Sequence, residues 1–104
     1  MIKHVTKESF KQEVVDSKLP VLVDFWATWC GPCRMQGQIL DSLDKQLDGS
    51  KVVLAKVNVD EQQELAMQFG VMSIPTLLVF KDGKVASKEV GVRNEEQLKQ
   101  MLGL

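Results

Sequence analysis

The sequence predicts an α/β/α sandwich of three layers, with helices on both faces of one central sheet. Three observations predict it. Short apolar runs alternate with stretches whose apolar residues recur every three or four positions, the period of a helix. Two of those runs, PVLVDFW (20–26) and KVVLAKVNV (51–59), are nearly continuous, which marks strands covered on both sides. The chain has 104 residues, 44% hydrophobic and 26% charged, so one domain over residues 1–104 can hold a core without staples or metal.

In order, a short strand covers about Ile2 to Val5. The helix after it takes Thr6 as N-cap and turns Phe10, Val14 and Val15 to one side. Pro20 to Trp26 forms the second strand. A long helix opens around Cys30 and Cys33, its inner face given by Met35, Ile39, Leu40, Leu43 and Leu47. Lys51 to Val59 is the third strand. Asp60 is placed to cap the next helix, with Gln63 at the capping-box position. That helix turns Leu65, Ala66 and Phe69 inward and stops at Gly70. Pro75 to Phe80 and Lys84 to Val90 flank KDG (81–83), a connection short enough to demand an antiparallel hairpin. Asn94 caps the last helix, with Gln97 at its third position and Leu98, Met101 and Leu102 inside. The order is β-α-β-α-β-α-β-β-α, and the helical crossovers imply parallel strands joined right-handedly.

Charge narrows the function. With 13 basic and 14 acidic residues the net charge is −1, which gives no basic field for nucleic acid or an anionic membrane. No apolar run approaches the roughly 18 residues of a membrane span. The opening MIKHVTKESF lacks the apolar core of an export signal, so the expected compartment is the cytoplasm. Reducing conditions there argue against a purely structural disulfide.

Cys30 and Cys33 are the only cysteines, and three chemistries compete for them. A structural zinc site needs four ligands, and the chain adds only one histidine, His4, in the first strand; an iron–sulfur cluster fails on the same count, so no metal is expected. As a staple, a loop of four residues contributes about 2 kcal/mol and ties residues that one helical turn already holds close. A reversible redox pair turns the same placement to advantage. Cys30 falls where a strand gives way to a helix, and free N–H groups there favour a thiolate. Cys33, one turn in, is shielded and suits a resolving thiol. Gly31 lets the backbone turn beside Cys30, and Pro32 is pre-set for the first helical turn. A CxxC opening a helix after a buried strand favours this third reading.

At WCGPC the chain resembles the thioredoxin family, and the likeness runs nearly end to end: VDFWATWCGPC (23–33), AKVNVD (55–60), IPTLLVFKDG (74–83) and the VG at 90–91. The resemblance implies the thioredoxin fold, a five-stranded mixed sheet flanked by four helices, in spatial order 1-3-2-4-5, with the last hairpin antiparallel to the rest. It implies a protein-disulfide reductase that binds no cofactor. Its partners would be disulfide-containing proteins and a separate thioredoxin reductase, usually drawing on NADPH through a flavin. A monomer is expected. The Gly-Pro pair matches the reducing members; isomerases and oxidants of the superfamily usually carry His before the second cysteine.

The resemblance also assigns residues. Asp24, in an apolar strand where burial raises a carboxyl pKa, would exchange the proton of Cys33 through water. Lys56 would tune it; the alternative is a structural Asp24–Lys56 ion pair. The Ile74–Pro75 bond would be cis and face the cysteines, offering backbone to an extended substrate. Trp29, Gly31, Pro32, Ile74, Pro75 and Gly91 would form the substrate-facing rim. Met72 could join the rim or fill a gap, and Trp26 reads mostly as core. Such a rim would equally serve a binding subunit of a larger assembly, and a poorly reducing relative in an export pathway is a further alternative. The chain departs from the family at Gln38, where members commonly carry proline, and at Gly37, where alanine is more usual. Gln38 keeps the N–H that proline lacks, so the helix is expected to run on unkinked.

Overall fold

The computed structural model describes all residues, Met1–Leu104. Five strands, β1 (Ile2–His4), β2 (Val21–Trp26), β3 (Val53–Asn58), β4 (Thr76–Lys81) and β5 (Lys84–Val90), form one sheet in the order β1-β3-β2-β4-β5. Four helices flank it: α1 (Lys11–Val15), α2 (Gly31–Asp44), α3 (Gln63–Gln68) and α4 (Glu95–Met101). No helix is long and apolar enough to cross a membrane.

Each face of the sheet carries its own core. Val21, Val23 and Phe25 of β2 pack with Phe10, Val14, Leu65 and Phe80 beneath α1 and α3. All four phenylalanines meet there; Phe69 lies 5.2 Å from Phe10 and 5.3 Å from Phe80, ring centre to ring centre. The alternate β2 residue Leu22 faces the other way, against Leu40 and Leu43 of α2 and Leu98 of α4. Period two on the strand and period 3.6 on the helices produce the two cores directly.

β1 and β2 both run parallel to β3, as the helical crossovers imply. β4 is antiparallel to β2, as the resemblance implies for the hairpin and against what the crossovers alone imply. The chain re-enters the sheet at the end where β3 left it, and Thr76 pairs with Phe25 near the end of β2. β5 is antiparallel to β4 and so runs with β1, β2 and β3; of the closing hairpin only β4 opposes the rest of the sheet. Asp82 (φ 53°) and Gly83 (φ 77°) make its two-residue turn, the left-handed pair that such hairpins require.

Local signals hold with one shift and two corrections. Thr6 closes the turn over residues 7–9 that leads into α1, its Oγ1 accepting from Ser9 N–H at 3.3 Å and Ser9 Oγ accepting from Thr6 N–H at 3.0 Å, while the N-cap of α1 itself is Phe10, with no side-chain bond. The helix that follows is wound as a π-helix, with Asp16 N–H donating to the Lys11 carbonyl at 2.8 Å. Asn94 and Gln97 form the expected capping box. Asp60 caps nothing, the first correction: Asn58 Oδ1 accepts from the N–H groups of Asp60 and Glu61, at 2.9 and 3.2 Å, and α3 starts only at Gln63. The second concerns α2. Met35 is 57% exposed, and the buried stripe is Cys33, Gln36, Leu40 and Leu43.

α2 runs unbroken through Gly37 and Gln38, as expected. Gln38→Pro should remove the bond to the Arg34 carbonyl in a helix with no existing bend to receive it. It should lower stability by roughly 3 kcal/mol, read as a lower urea midpoint; an unchanged midpoint would show that the turn tolerates the loss.

Candidate active site

The dithiol sits where β2 hands over to α2. After Trp26 the chain turns, Cys30 N–H donating to the Ala27 carbonyl at 3.3 Å, and Cys30 becomes the N-cap of α2. Its sulfur takes the place of a capping oxygen, accepting from Cys33 N–H at 3.2 Å. A helix of 14 residues thus points its positive end at Cys30. Cys30 and Cys33 are disulfide-bonded, with Cα atoms 5.2 Å apart. Both are nearly buried, Cys33 more than Cys30, among Ala27, Trp26, Val59 and Ile74.

Gly31 and Pro32 are exposed beside Cys30, in the first turn of α2. Gly31 needs correction. It has no positive φ, and an added Cβ would meet nothing nearer than the Arg34 guanidinium at 3.9 Å. Its service is to leave the surface next to Cys30 bare rather than to permit a tight turn.

Two further segments close on the sulfurs. The Ile74–Pro75 bond is cis, and the Ile74 carbonyl oxygen lies 3.8 Å from Cys30 Sγ. The Pro75 carbonyl accepts from Gly91 N–H at 2.8 Å, which ties the end of β5 to the same place. Gly91 has φ 95°, a conformation that side chains other than glycine's resist. Trp29 is 68% exposed and held by its indole N–H, which donates to Asp60 Oδ2 at 2.8 Å. This bond explains why Asp60 does not cap α3. Trp29, Val59, Val71, Met72, Ser73 and Ile74 line an open apolar groove of about 400 Å³ beside the dithiol. Met72, 95% exposed, is part of that wall.

Asp24 is wholly buried in the middle of β2, and neither carboxylate oxygen has a hydrogen-bond partner. Burial raises its pKa to about 7, and the charge of Lys56 lowers it in part. Lys56 is the direct neighbour of Asp24 in β3, yet it makes no ion pair. Its ammonium stands 4.4 Å from the Trp26 ring centre instead. A Cβ at Gly37 would meet that ammonium at 3.4 Å, an ordinary contact with the end of a flexible side chain. Neither the stacking nor the tie between Trp29 and Asp60 carries a sequence signal beyond the presence of the residues. Gln36, buried on α2 with its amide on the Arg93 backbone, also escaped the sequence reading; a polar residue at a core position of the helical period was its one available sign.

Such a site defines a class: an α/β protein whose disulfide caps a helix, beside a buried carboxyl with a pKa raised to about 7 and an open apolar groove. The comparisons make the class particular. The thioredoxin family model matches residues 1–103. Thioredoxin 1 of Nostoc sp. is 50% identical over 98 residues, covering 94% of this chain and 91% of the relative. Thioredoxin of Rickettsia felis is 46% identical over 98 residues, 94% and 92% of the two chains. Thioredoxin of Synechocystis sp. reaches 52% over 87 residues, 84% and 80%. The chain belongs to the thioredoxin family. It is a thiol-disulfide oxidoreductase that reduces disulfide-containing substrates with its Cys30–Cys33 couple.

The raised pKa of Asp24 has a stability consequence. The folded-state value of about 7 lies above the ordinary 3.8, so the native form keeps a proton that the unfolded chain has released. The group is neutral in both states below about pH 4, its destabilisation grows as pH rises towards 7, and above that it levels off at roughly 4 kcal/mol. Asp24→Asn should therefore raise the denaturant midpoint most at pH 8 and scarcely at pH 4. Equal gains at both pH values would show that the burial of charge is not the cause.

Proposed function

We propose that Cys30 is the attacking thiol and Cys33 the resolving thiol in reduction of protein disulfides. The observation that carries this reading is Cys30 at the N-cap of α2, its sulfur already accepting the Cys33 N–H. That donor and the helix end stabilise a thiolate on Cys30. The Cys30 thiolate attacks one sulfur of the substrate disulfide; the S–S bond breaks, and the leaving thiolate takes a proton. A mixed disulfide joins Cys30 to the substrate sulfur it attacked. Cys33 then loses its proton and attacks Cys30 Sγ, releasing the second substrate thiolate. Two electrons and two protons have passed to the substrate, and Cys30–Cys33 is oxidised.

Asp24 receives the Cys33 proton, through water, in this reading. It lies on the sheet face covered by α2, and its pKa of about 7 lets it both take and return a proton at neutral pH. Lys56 tunes it by charge. Trp29, Gly31, Pro32, Ile74, Pro75 and Gly91 form the surface that receives the substrate. The groove beside Trp29 and Ile74 takes apolar side chains, and the backbone around Ile74 is there for an extended strand. A thioredoxin reductase recharges the dithiol, and the chain works as a cytoplasmic monomer without nucleic-acid or membrane partners. The balanced charge of −1 supports this last part.

Cys30→Ser should abolish insulin reduction, because no thiolate remains to attack. Cys33→Ser should still react once and stop at the mixed disulfide, which accumulates as a covalent adduct on a non-reducing gel. Equal trapping by both variants would reverse or erase the division of labour. Asp24→Asn should slow release from the mixed disulfide more than the first attack at pH 7; stopped-flow rates that fall together, or not at all, would remove Asp24 from the proton path.

A further inference from the structure

Gln36 is fully buried, and its amide is engaged on both sides by one residue. Nε2 donates to the Arg93 carbonyl at 3.0 Å, and Oε1 accepts from Arg93 N–H at 2.7 Å. Gln36 stands one turn beyond Cys33 on the buried stripe of α2, where Leu40 and Leu43 follow. Arg93 ends the three-residue connection between β5, which stops at Val90, and Asn94, the cap of α4. At its other end the connection is held by Gly91 N–H on the Pro75 carbonyl. The two Gln36 bonds are the only hydrogen bonds between this loop and the dithiol helix. A leucine would continue the stripe and fill similar space, but it would leave both Arg93 backbone groups without these partners.

We propose that Gln36 is a positioning residue for protein-disulfide reduction: its side-chain amide locks the Gly91–Arg93 loop to the dithiol helix, so that the loop keeps its place in the surface that receives the substrate. The inference rests on the reading of Gly91 as part of that surface. The loop has no ladder of its own, so its position follows its anchors. The Pro75 anchor sets it against the segment beside Cys30, and the Gln36 anchor sets it against the helix that carries both sulfurs. A polypeptide substrate spans these segments together. A small disulfide that meets only the Cys30 sulfur does not.

The test compares Gln36→Leu, Gln36→Met and Gly91→Asn with the parent chain. Insulin is the protein disulfide, with dithiothreitol as the electron source; dithionitrobenzoate is the small one, mixed with pre-reduced protein freed of dithiothreitol so that only the protein dithiol reduces it. Both Gln36 variants should raise KM for insulin by roughly fivefold, the effect of about one net hydrogen bond, with kcat moving less than twofold. Reduction of dithionitrobenzoate should shift much less than KM for insulin. Gln36→Met removes both amide contacts with a flexible apolar chain of similar length, so it answers the question if the leucine variant melts without cooperativity. Gly91→Asn, chosen because asparagine tolerates positive φ best among side chains, should raise the same KM. An unchanged KM in the folded Gln36 variants, with an effect at Gly91, would overturn the inference and leave the receiving surface intact. No effect at Gly91 would overturn the reading of that surface and the inference with it. Equal losses on both disulfides, falling on kcat, would mark Gln36 as structural and overturn the inference.

Discussion

β2 is enclosed on four sides, and the rest of the molecule is arranged by that constraint. β3 and β4 take its two edges, α1 and α3 cover one face, and α2 and α4 cover the other. A strand so enclosed has its backbone groups paired in the sheet and its side chains in two dry cores. The pairing also sets where loops can go. Trp26 is level with Asn58, Phe25 with Thr76, and Thr76 with Val90. The end of β2, the end of β3, the start of β4 and the end of β5 therefore share one edge. Four connections emerge there side by side, carrying Cys30, Asp60, Ile74 and Gly91. The site is assembled by strand register before any side chain contributes.

The same enclosure gives Asp24 its chemistry. A carboxyl at the centre of such a strand is shut off from bulk solvent, and no protein donor reaches it. Lys56 is level with it on β3 and is the one nearby cation that lowers its pKa. An ion pair would have pulled that value far down and fixed the carboxylate in its charged form. The Trp26 ring instead holds the ammonium, close enough to moderate the effect of burial and too far for a direct pair. A pKa near 7 is the balance between those two influences.

What could be read in the sequence follows from the range of the forces involved. Strands, hairpin turn, dithiol junction and the Asn94 cap are set by residues within a few positions of one another, and their local chemistry is visible in the letters. The resemblance supplied the order of the sheet and the residues around the dithiol. The resemblance also supplied the direction of β4, which the crossovers alone would have reversed, and the start of α3 depended on whether Asp60 or Asn58 closed the turn. Asp60 looked free to cap because its true partner, Trp29, is 31 residues away. Met35 and Gln36 exchanged places for a similar reason. Hydrophobicity placed the methionine inside, but the inner position is decided by Cys33, Leu40 and Leu43, which set the phase of the helix. A glutamine fits there only because Arg93, 57 residues on, offers it both a donor and an acceptor.

The stretch from Met35 to Gln38 then makes sense as three separate solutions on one turn of helix. Gln36 faces inward and reaches the loop after β5. Gly37 lies beside the Lys56 ammonium that moderates Asp24. Gln38 faces solvent and preserves the N–H that a proline would remove. With the helix unbroken through Gly37 and Gln38, Cys33 and Gln36 belong to one continuous element. A proline at position 38 would remove a backbone bond in the turn that carries Gln36, two residues before it, and so disturb the contact with Arg93. In this chain the anchor is present and the proline is not.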